Sequence, residues 1–276
     1  MKLEKDFKFK DIQYTRPDCE AFQKLAEDNA EKIKNAVSYS EAKKIFLEFD
    51  KAESEFFDMG NIAYIRHTID TSDEFYDKEN EFLNEKTPEL MPALLAFSNA
   101  VYDSRFKPDF VAEFGEQMFA EIELRRKSFS EKNIPLLQKE ARLCNEYEKI
   151  IASADILFDG KHLNLYGIMS YFENSDRNVR HDAYKAYSKF YESNEENFER
   201  IWDELIKVRT EMGKNLGFEN YIPLGYMKSG MILAGLSKPD HIKLWLDDVR
   251  EAPEGYCHCH SVNEAKEKIK EYLDKK

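Results

Sequence analysis

The chain has 276 residues and a formal net charge of -13. Binding to phosphate groups depends on clustered Lys and Arg, so this acidic balance argues against nucleic acid or an anionic membrane surface as the main partner. Hydrophobic residues make up 42% of the chain and include 20 Phe and 15 Tyr, which favours packing between helices over a disordered tail. The length suits one large domain or two modest ones.

The amino-terminal residues "MKLEKDFKFKD" are charged where a signal peptide needs an apolar segment, and no later run of about eighteen uncharged apolar residues follows. Cys19 and Cys144 are isolated in helical sequence, and four cysteines in a chain of this length do not indicate a disulfide framework. We therefore expect a cytoplasmic protein with reduced thiols and no membrane association.

Residues 40–65 carry the first clear helical period. Apolar residues recur there at three- and four-residue steps and predict one buried stripe, formed by Ala42, Ile45, Phe49, Ala52, Phe56, Met59 and Ala63. Ser40 is the predicted N-cap of this helix.

A second long helix is predicted to open at Ser72, with Asp73 and Glu74 in its first turn, where carboxylates favour the free amides. Pro88 and Pro92 interrupt the pattern, because proline cannot donate the helical hydrogen bond. The stretch therefore predicts either two helices or one kinked helix.

Two more helices are predicted before residue 153. The first starts at Pro108 and carries Phe110, Phe114, Met118, Ile122 and Arg125 along one face. The second lies in "SEKNIPLLQKEARLCNEYEKIIASA", with a predicted buried stripe of Leu136, Leu137, Ala141, Cys144, Tyr147 and Ile151.

Asp159-Gly160 lies between two short apolar runs and suits a tight hairpin turn, because both positions tolerate positive φ. Helical sequence then resumes. In its last long helix Phe198, Ile201, Trp202, Leu205, Val208 and Met212 are in phase, so we expect Phe198 and Trp202 to be buried. Gly217 is placed to end this helix in a left-handed turn. The sequence thus predicts a mostly α chain with one inserted β-hairpin.

Four sequence segments in this order carry a family resemblance: "DIQYTRPD", "ILFDGKHLNL", "DRNVRHDAYKAY" and "RTEMGKNLGFENYIPLGY". Residues 1–229 resemble the amino-terminal helical region of the oligoendopeptidase F branch of the thimet-oligopeptidase-like zinc metallopeptidases. The resemblance implies a helical domain that forms one wall of a deep peptide channel. It covers less than half of a family member.

The catalytic chemistry of that family needs a helix with His-Glu-x-x-His, in which two imidazoles bind zinc and the Glu activates water. This motif does not occur in the chain. His67, His162 and His181 have no second histidine at ligand spacing and are expected to be structural or surface residues. Cys144 in an apolar stripe is expected to be a core residue. No catalytic residue is assigned, and zinc is not expected to bind.

The last part of the chain has a different pattern. From His241, "HIKLWLDDVREAPEGY" resembles the start of a cyclic-phosphate processing receiver-like domain. In receiver folds the acids after the first strand help to hold magnesium, which makes Asp247 and Asp248 the candidate metal ligands. The alternative for this pair is a solvated acidic strand end. "CHCH" at 257–260 places its cysteines and histidines on opposite faces of a strand, which disfavours one zinc site.

These observations predict three parts. Residues 1–229 form an oligoendopeptidase-like helical domain that lacks the zinc half, 230–240 a linker, and 241–276 a partial receiver-like segment, a small incomplete α/β tail. A natural fusion, a frameshifted remnant and an assembly artefact would each produce this join.

The predicted function is that of a truncated zinc metalloendopeptidase relative, inactive as this chain. Its expected partners are oligopeptides or a missing carboxyl-terminal half. The alternative is a binding or signalling module whose receiver-like tail recognises a cyclic phosphate or a protein.

Overall fold

The computed structural model describes residues 8–229 of the chain. In that part the helices are α1 (Cys19–Asn35), α2 (Tyr39–Ile69), α3 (Glu74–Tyr102), α4 (Lys107–Phe114), α5 (Glu116–Ser128), α6 (Ile134–Ala152), α7 (Leu165–Met169), α8 (Arg177–Ser193), α9 (Glu195–Asn215) and α10 (Ile222–Lys228). Strands β1 (Ile156–Phe158) and β2 (Lys161–Leu163) form one antiparallel pair between α6 and α7. The predicted mostly α fold with one inserted hairpin is confirmed.

The chain divides into two compact units, Met1–Tyr221 and Ile222–Lys276. Helices α1–α9 and the hairpin belong to the first unit, and α10 belongs to the second. None of the helices in residues 8–229 is long and apolar enough to cross a membrane.

The N-cap of α2 is Ser38, whose hydroxyl accepts from the amide of Glu41 at 3.3 Å. The Glu41 carboxylate in turn accepts from the amide of Val37 at 2.8 Å. Ser38 stands three residues before Glu41, the spacing of a capping box, whereas Ser40 lies inside the first turn. The predicted cap at Ser40 is therefore wrong by two residues.

Helix α3 is capped by Asp73, whose carboxylate accepts from the amides of Phe75 and Tyr76 at 2.9 and 3.2 Å. Ser72 instead binds the Asp70 carboxylate, so the predicted start at Ser72 is wrong by one position. The helix continues through both of its prolines to Tyr102, so of the two predicted alternatives, two helices or one kinked helix, the structure has a single helix.

The helix predicted from Pro108 is wrong as a single element, because it is broken at Gly115 into α4 and α5. Gly115 adopts a φ of 88°, which an L side chain disfavours, and its amide ends α4 on the carbonyl of Val111. The predicted face is nevertheless kept across the break, because Phe110 and Ile122 are buried and Phe114 and Met118 are half-buried. Phe119 also joins the core, while Arg125 is exposed.

A phenylalanine-rich core joins α1 to α5. The ring of Phe22 on α1 stacks on Phe56 of α2 at 4.1 Å between centroids, and Phe49 of α2 lies 4.1 Å from Phe97 of α3. Such pairs add about 0.5–1.5 kcal/mol each beyond the area that they bury. The predicted stripe of α2 is buried or half-buried along its length.

The hairpin pairs Ile156 with Leu163 and turns at Asp159 and Gly160, whose φ values are 52° and 71°. The turn predicted from Asp-Gly is confirmed. Ile156 packs in a second small core with residues of α7 and α8, including Ile168 and Ala183.

Helix α9 ends as predicted at Gly217, which has a φ of 84°. The amide of Gly217 donates to the carbonyl of Lys214, and that of Phe218 donates to Gly213, the two bonds of a Schellman motif. Trp202, however, is 65% exposed, and Phe198 is half-buried. The prediction that both are buried is wrong.

Trp202 is exposed because it lies away from the centre of the apolar stripe on α9. Its buried centre is the row Ile201, Leu205, Val208 and Met212, and Trp202 lies about 100° further round the helix. The stripe predicted for α6 is also wrong in part. Leu143 and Asn145 are its buried positions, and Tyr147 is 45% exposed.

Candidate functional site

A cleft of ≈ 610 Å³ runs between α3 and α6 and combines charged, amide and aromatic side chains. Its walls are Lys78, Glu81, Phe82, Asn84 and Glu85 from α3, and Arg142, Asn145, Glu146 and Lys149 from α6. Residues four apart on a helix share a face, so each helix presents polar groups in steps of about one turn along the cleft. We refer to this feature as the α3–α6 cleft.

A buried polar network lies beneath the cleft. His67, at the end of α2, is fully buried, and its Nε2 donates to Asn145 Oδ1 at 2.9 Å. Asn80 Nδ2 also approaches that oxygen, at 3.5 Å. The other ring nitrogen, Nδ1, makes no hydrogen bond within the described residues and lies 3.6 Å from Asp77 Oδ1. The network thus joins α2, α3 and α6 through buried polar contacts.

Lys149 forms ion pairs with two acidic residues in this region. Its ammonium lies 2.7 and 2.8 Å from the two carboxylate oxygens of Asp77 and 3.4 Å from Glu81. Burial lowers the pKa of Lys149, but the hydrogen bonds and charges of the two acids outweigh burial and raise the pKa overall. The lysine therefore stays charged at neutral pH and does not act as a nucleophilic amine.

Ion pairs occupy the rest of the cleft. Arg142 pairs with Glu85, Glu146 pairs with Arg200 of α9, and Lys78 pairs with Glu74. All six charged residues that line the cleft have an oppositely charged partner. Such a surface can orient a polar ligand through exchange of partners, but it leaves no carboxylate or imidazole free to activate water.

A second buried charge on α3 is Glu79. Glu79 is 2% exposed and accepts hydrogen bonds from Tyr14 Oη at 2.6 Å and from Arg16 Nε at 2.9 Å. The Arg16 guanidinium also lies 4.4 Å from the ring centre of Phe82. The hydrogen bonds of Arg16 hold the pKa of Glu79 below its ordinary value against the effect of burial. Burial, followed by the Glu79 hydrogen bond, raises the pKa of Tyr14.

The three histidines weighed from the sequence lie apart and have separate partners. His67 is in the buried network, His162 on β2 faces Asp155 at 2.7 Å, and His181 on α8 faces Asp182 at 3.2 Å. Residues 8–229 contain no group of three or more His, Cys, Asp and Glu that could hold a metal ion. The donor set in this part of the chain does not fit a peptidase zinc site, which needs about three converging ligands.

The remaining candidate residues divide between the described and undescribed parts. Cys144 is half-buried on α6, and neither it nor the buried Cys19 forms a disulfide in the described part of the chain. The magnesium candidates Asp247 and Asp248 lie outside the described residues, as do Cys257 to His260.

Sequence reasoning missed Asp77, Asn145 and Lys149, which form the centre of the network. Each looks like an ordinary polar residue of an amphipathic helix. The sequence does contain one signal of the network, because Asn145 falls between Cys144 and Tyr147 inside a predicted apolar stripe. A polar residue that is buried in such a stripe needs a hydrogen-bond partner.

Known proteins have a similar arrangement of helices. Residues 9–129 match the Peptidase M3 N-terminal domain. That match covers α1 to α5 and the segment before α1 that reaches Glu79. The phenylalanine core and the Arg16 contact lie within the matched residues, whereas the α3–α6 cleft is completed by α6, which lies outside them.

Solved structures extend the similarity beyond the M3 N-terminal domain. An oligoendopeptidase F structure is 33% identical, with a TM-score of 0.78, over 81% of this chain. PZ peptidase A bound to an inhibitor is 34% identical, with a TM-score of 0.78 over 81% of this chain. An oligoendopeptidase F from Bacillus anthracis is 36% identical, with a TM-score of 0.77 over 79% of this chain.

The chain spans 40% of the length of each of these three structures. A search of curated proteins finds no significant match. None of the reported matches concerns a receiver-like domain, so the resemblance of residues 241–276 stays a prediction.

Proposed function

We propose that these 276 residues supply the front helical segment of an oligoendopeptidase F-like zinc peptidase, and that they do not hydrolyse peptides by themselves. The observation that carries the proposal is the match to oligoendopeptidase F at 33% identity over 81% of the chain, in a sequence without His-Glu-x-x-His. The helices supply a wall for oligopeptide binding. They supply no ligand set for the metal that activates water in such enzymes.

The α3–α6 cleft is the part of this wall best suited to a peptide. Asn84 brings an amide group to it, which can pair with a peptide backbone, and Phe82 offers an apolar surface. A cytoplasmic location is part of the proposal and is supported by the unbridged thiols of Cys19 and Cys144 in the described region.

Hydrolysis by the purified chain is the direct test. The chain is incubated with a quenched fluorogenic oligopeptide and zinc, with and without a chelator, beside an active oligoendopeptidase F as positive control. We expect no chelator-sensitive turnover from the chain. Turnover that a chelator abolishes and that co-elutes with the chain on gel filtration would overturn the proposed inactivity.

Peptide binding is measured separately, by fluorescence anisotropy of labelled oligopeptides. We expect saturable binding that Arg142→Glu weakens several-fold, because the substitution reverses a charge in the cleft. The matched control is Lys24→Glu, an exposed α1 residue remote from the cleft, which should leave binding unchanged. Equal loss in both variants, or no saturable binding, would remove the cleft from the proposal.

A further inference from the structure

A second cavity, of ≈ 330 Å³, lies between α2, α3 and the end of α5. Its lining is mainly apolar and contains Phe57, Met91, Leu94, Leu95 and Phe129, with Thr87 and Ser98 at its polar edge. Two charged residues also line it, Glu53 from α2 and Arg125 from α5. An apolar cavity with a few converging polar groups is the usual form of a small-ligand site, and this volume is at the lower end of the common range.

Glu53 and Arg125 both line the cavity but form no ion pair with each other. No hydrogen bond or ion pair within residues 8–229 involves the Glu53 carboxylate or the Arg125 guanidinium. The two are nevertheless close enough to interact. Burial raises the pKa of Glu53, the nearby charge of Arg125 lowers it, and Asp50 raises it. A carboxylate and a guanidinium in one apolar pocket, near but unpaired, leave a gap that a ligand with both charges would fill.

Several other charged residues of α2 and α5 form ion pairs. Glu55 pairs with Lys51 at 3.7 Å, Arg126 pairs with Asp103 at 3.1 Å, and Lys127 pairs with Glu123 at 2.5 Å. Each of these groups sits on a solvated face and finds a partner on the surface. Glu53 is half-buried and Arg125 is partly solvated, but both line the cavity, where a bound molecule can reach the carboxylate and the guanidinium together.

We propose that this cavity binds a free hydrophobic amino acid as a zwitterion, with its ammonium on Glu53, its carboxylate on Arg125 and its side chain among Phe57, Met91 and Leu94. The apolar lining selects against charged and small polar side chains. The limited volume favours a single amino acid over a long peptide. The site does not depend on peptide hydrolysis by this chain, so it can be tested independently of the function proposed above.

The test is isothermal titration calorimetry of the full chain with leucine and phenylalanine, and then with analogues that lack one charge. N-acetylphenylalanine removes the ammonium, phenylalaninamide removes the carboxylate, and glutamine removes the apolar side chain. We expect saturable binding of leucine or phenylalanine, and at least about tenfold weaker binding of all three analogues, since each loses a charge-assisted hydrogen bond or the buried side chain.

Variants locate the site. Glu53→Gln and Arg125→Gln should each weaken binding of phenylalanine about tenfold or more, whereas Glu55→Gln and Arg126→Gln, their neighbours on the same helices, should leave it unchanged. Circular dichroism confirms that each variant is folded. The proposal is overturned by absent binding of both amino acids, by equal binding of the acetylated or amidated analogue, or by binding that survives both cavity variants.

Discussion

A single buried carboxylate, Glu79, ties the segment before α1 to α3. It is 2% exposed and accepts from both Tyr14 and Arg16, so its removal leaves two donors without their acceptor. Breaking a fully buried pair costs about 3–5 kcal/mol, but Arg16 is 51% exposed and water compensates part of that loss. We expect Glu79→Ala to lower the free energy of unfolding by about 2 kcal/mol, as measured by urea denaturation.

The control for this variant is Asp28→Ala, which removes a solvated ion pair with Lys24 on α1. Exposed pairs of this kind contribute about 0–1 kcal/mol. A similar loss in both variants would show that Glu79 acts as an ordinary surface charge.

The same residue sets a pH dependence. Because Arg16 lowers the pKa of Glu79 below its ordinary value of 4.5, the native state binds that proton less tightly than the unfolded state. The stability that Glu79 contributes is therefore fully present above about pH 4.5 and is lost as the pH falls through the native pKa.

Glu53 has the opposite effect on how stability changes with pH, since burial raises its pKa. Its ionisation therefore disfavours the native state as the pH rises through the native pKa. Urea melts from pH 3 to pH 7 should show that Glu79→Gln flattens the acid limb of the stability curve, whereas Glu53→Gln raises stability at pH 7 and not at pH 3. Parallel curves for wild type and both variants would contradict these assignments.

At the scale of elements, the end of α9 depends on two glycines with different roles. Gly217 supplies the positive φ of the Schellman turn, and Gly213 allows the returning chain to approach the helix. A Cβ at Gly213 would contact the carbonyl oxygen of Asn220 and lie 2.8 Å from its carbonyl carbon. Both atoms are backbone and cannot move aside as a flexible side chain could.

We expect Gly213→Ala to destabilise the protein by about 2 kcal/mol, because overpacking costs about 1–3 kcal/mol. Gly60→Ala is the matched control. A Cβ there meets no atom within 4 Å, so the better helix propensity of alanine should stabilise α2 by up to about 1 kcal/mol. Thermal melts of the two variants should shift in opposite directions, and a stabilised Gly213→Ala would contradict the close approach.

The elements also show which features of the fold the sequence could predict. The Asp159-Gly160 hairpin and the Gly217 helix end depend on local backbone chemistry, and both were predictable. The caps at Ser38 and Asp73 were not predicted at the correct residue, because Ser40 and Ser72 are also residue types that can cap a helix. The break at Gly115 was missed because the apolar spacing runs on across it.

The candidate site could not be predicted because it depends on pairing between distant elements. His67 and Asn145 are 78 positions apart, and the packing of both α2 and α6 against α3 brings them into contact. In contrast, the absence of a peptidase zinc motif could be read directly from the sequence.

At the scale of the molecule, part of the apolar surface of α6 and α9 is open to solvent. Trp202 is 65% exposed and Ile206 is 50% exposed, one turn apart on α9, and Tyr147 of α6 is 45% exposed. Exposed apolar groups that lie close together are typical of surfaces that bind another protein segment.

This exposure has a spectroscopic consequence. In a Trp245→Phe variant, which leaves Trp202 as the sole indole, we expect emission near that of tryptophan in water and efficient quenching by acrylamide, because the indole is mostly solvated. Free N-acetyltryptophanamide is the reference. Blue-shifted emission that resists quenching would show that Trp202 is covered in solution, by another part of the chain or by a second copy.

The contacts of Lys149 bear on which substitutions α3 and α6 tolerate. Lys149 forms ion pairs with two acids, Asp77 and Glu81, which lie one turn apart on α3. Loss of Glu81 leaves the shorter ion pair, between Lys149 and Asp77, intact. We therefore expect substitutions at position 81 to be tolerated. Loss of Lys149 leaves Asp77 and Glu81 without their shared cation, with Asp77 next to the buried His67 imidazole, so the lysine can change only together with its partners. The network therefore has unequal mutational robustness, with variation expected at Glu81 and not at Asp77 or Lys149.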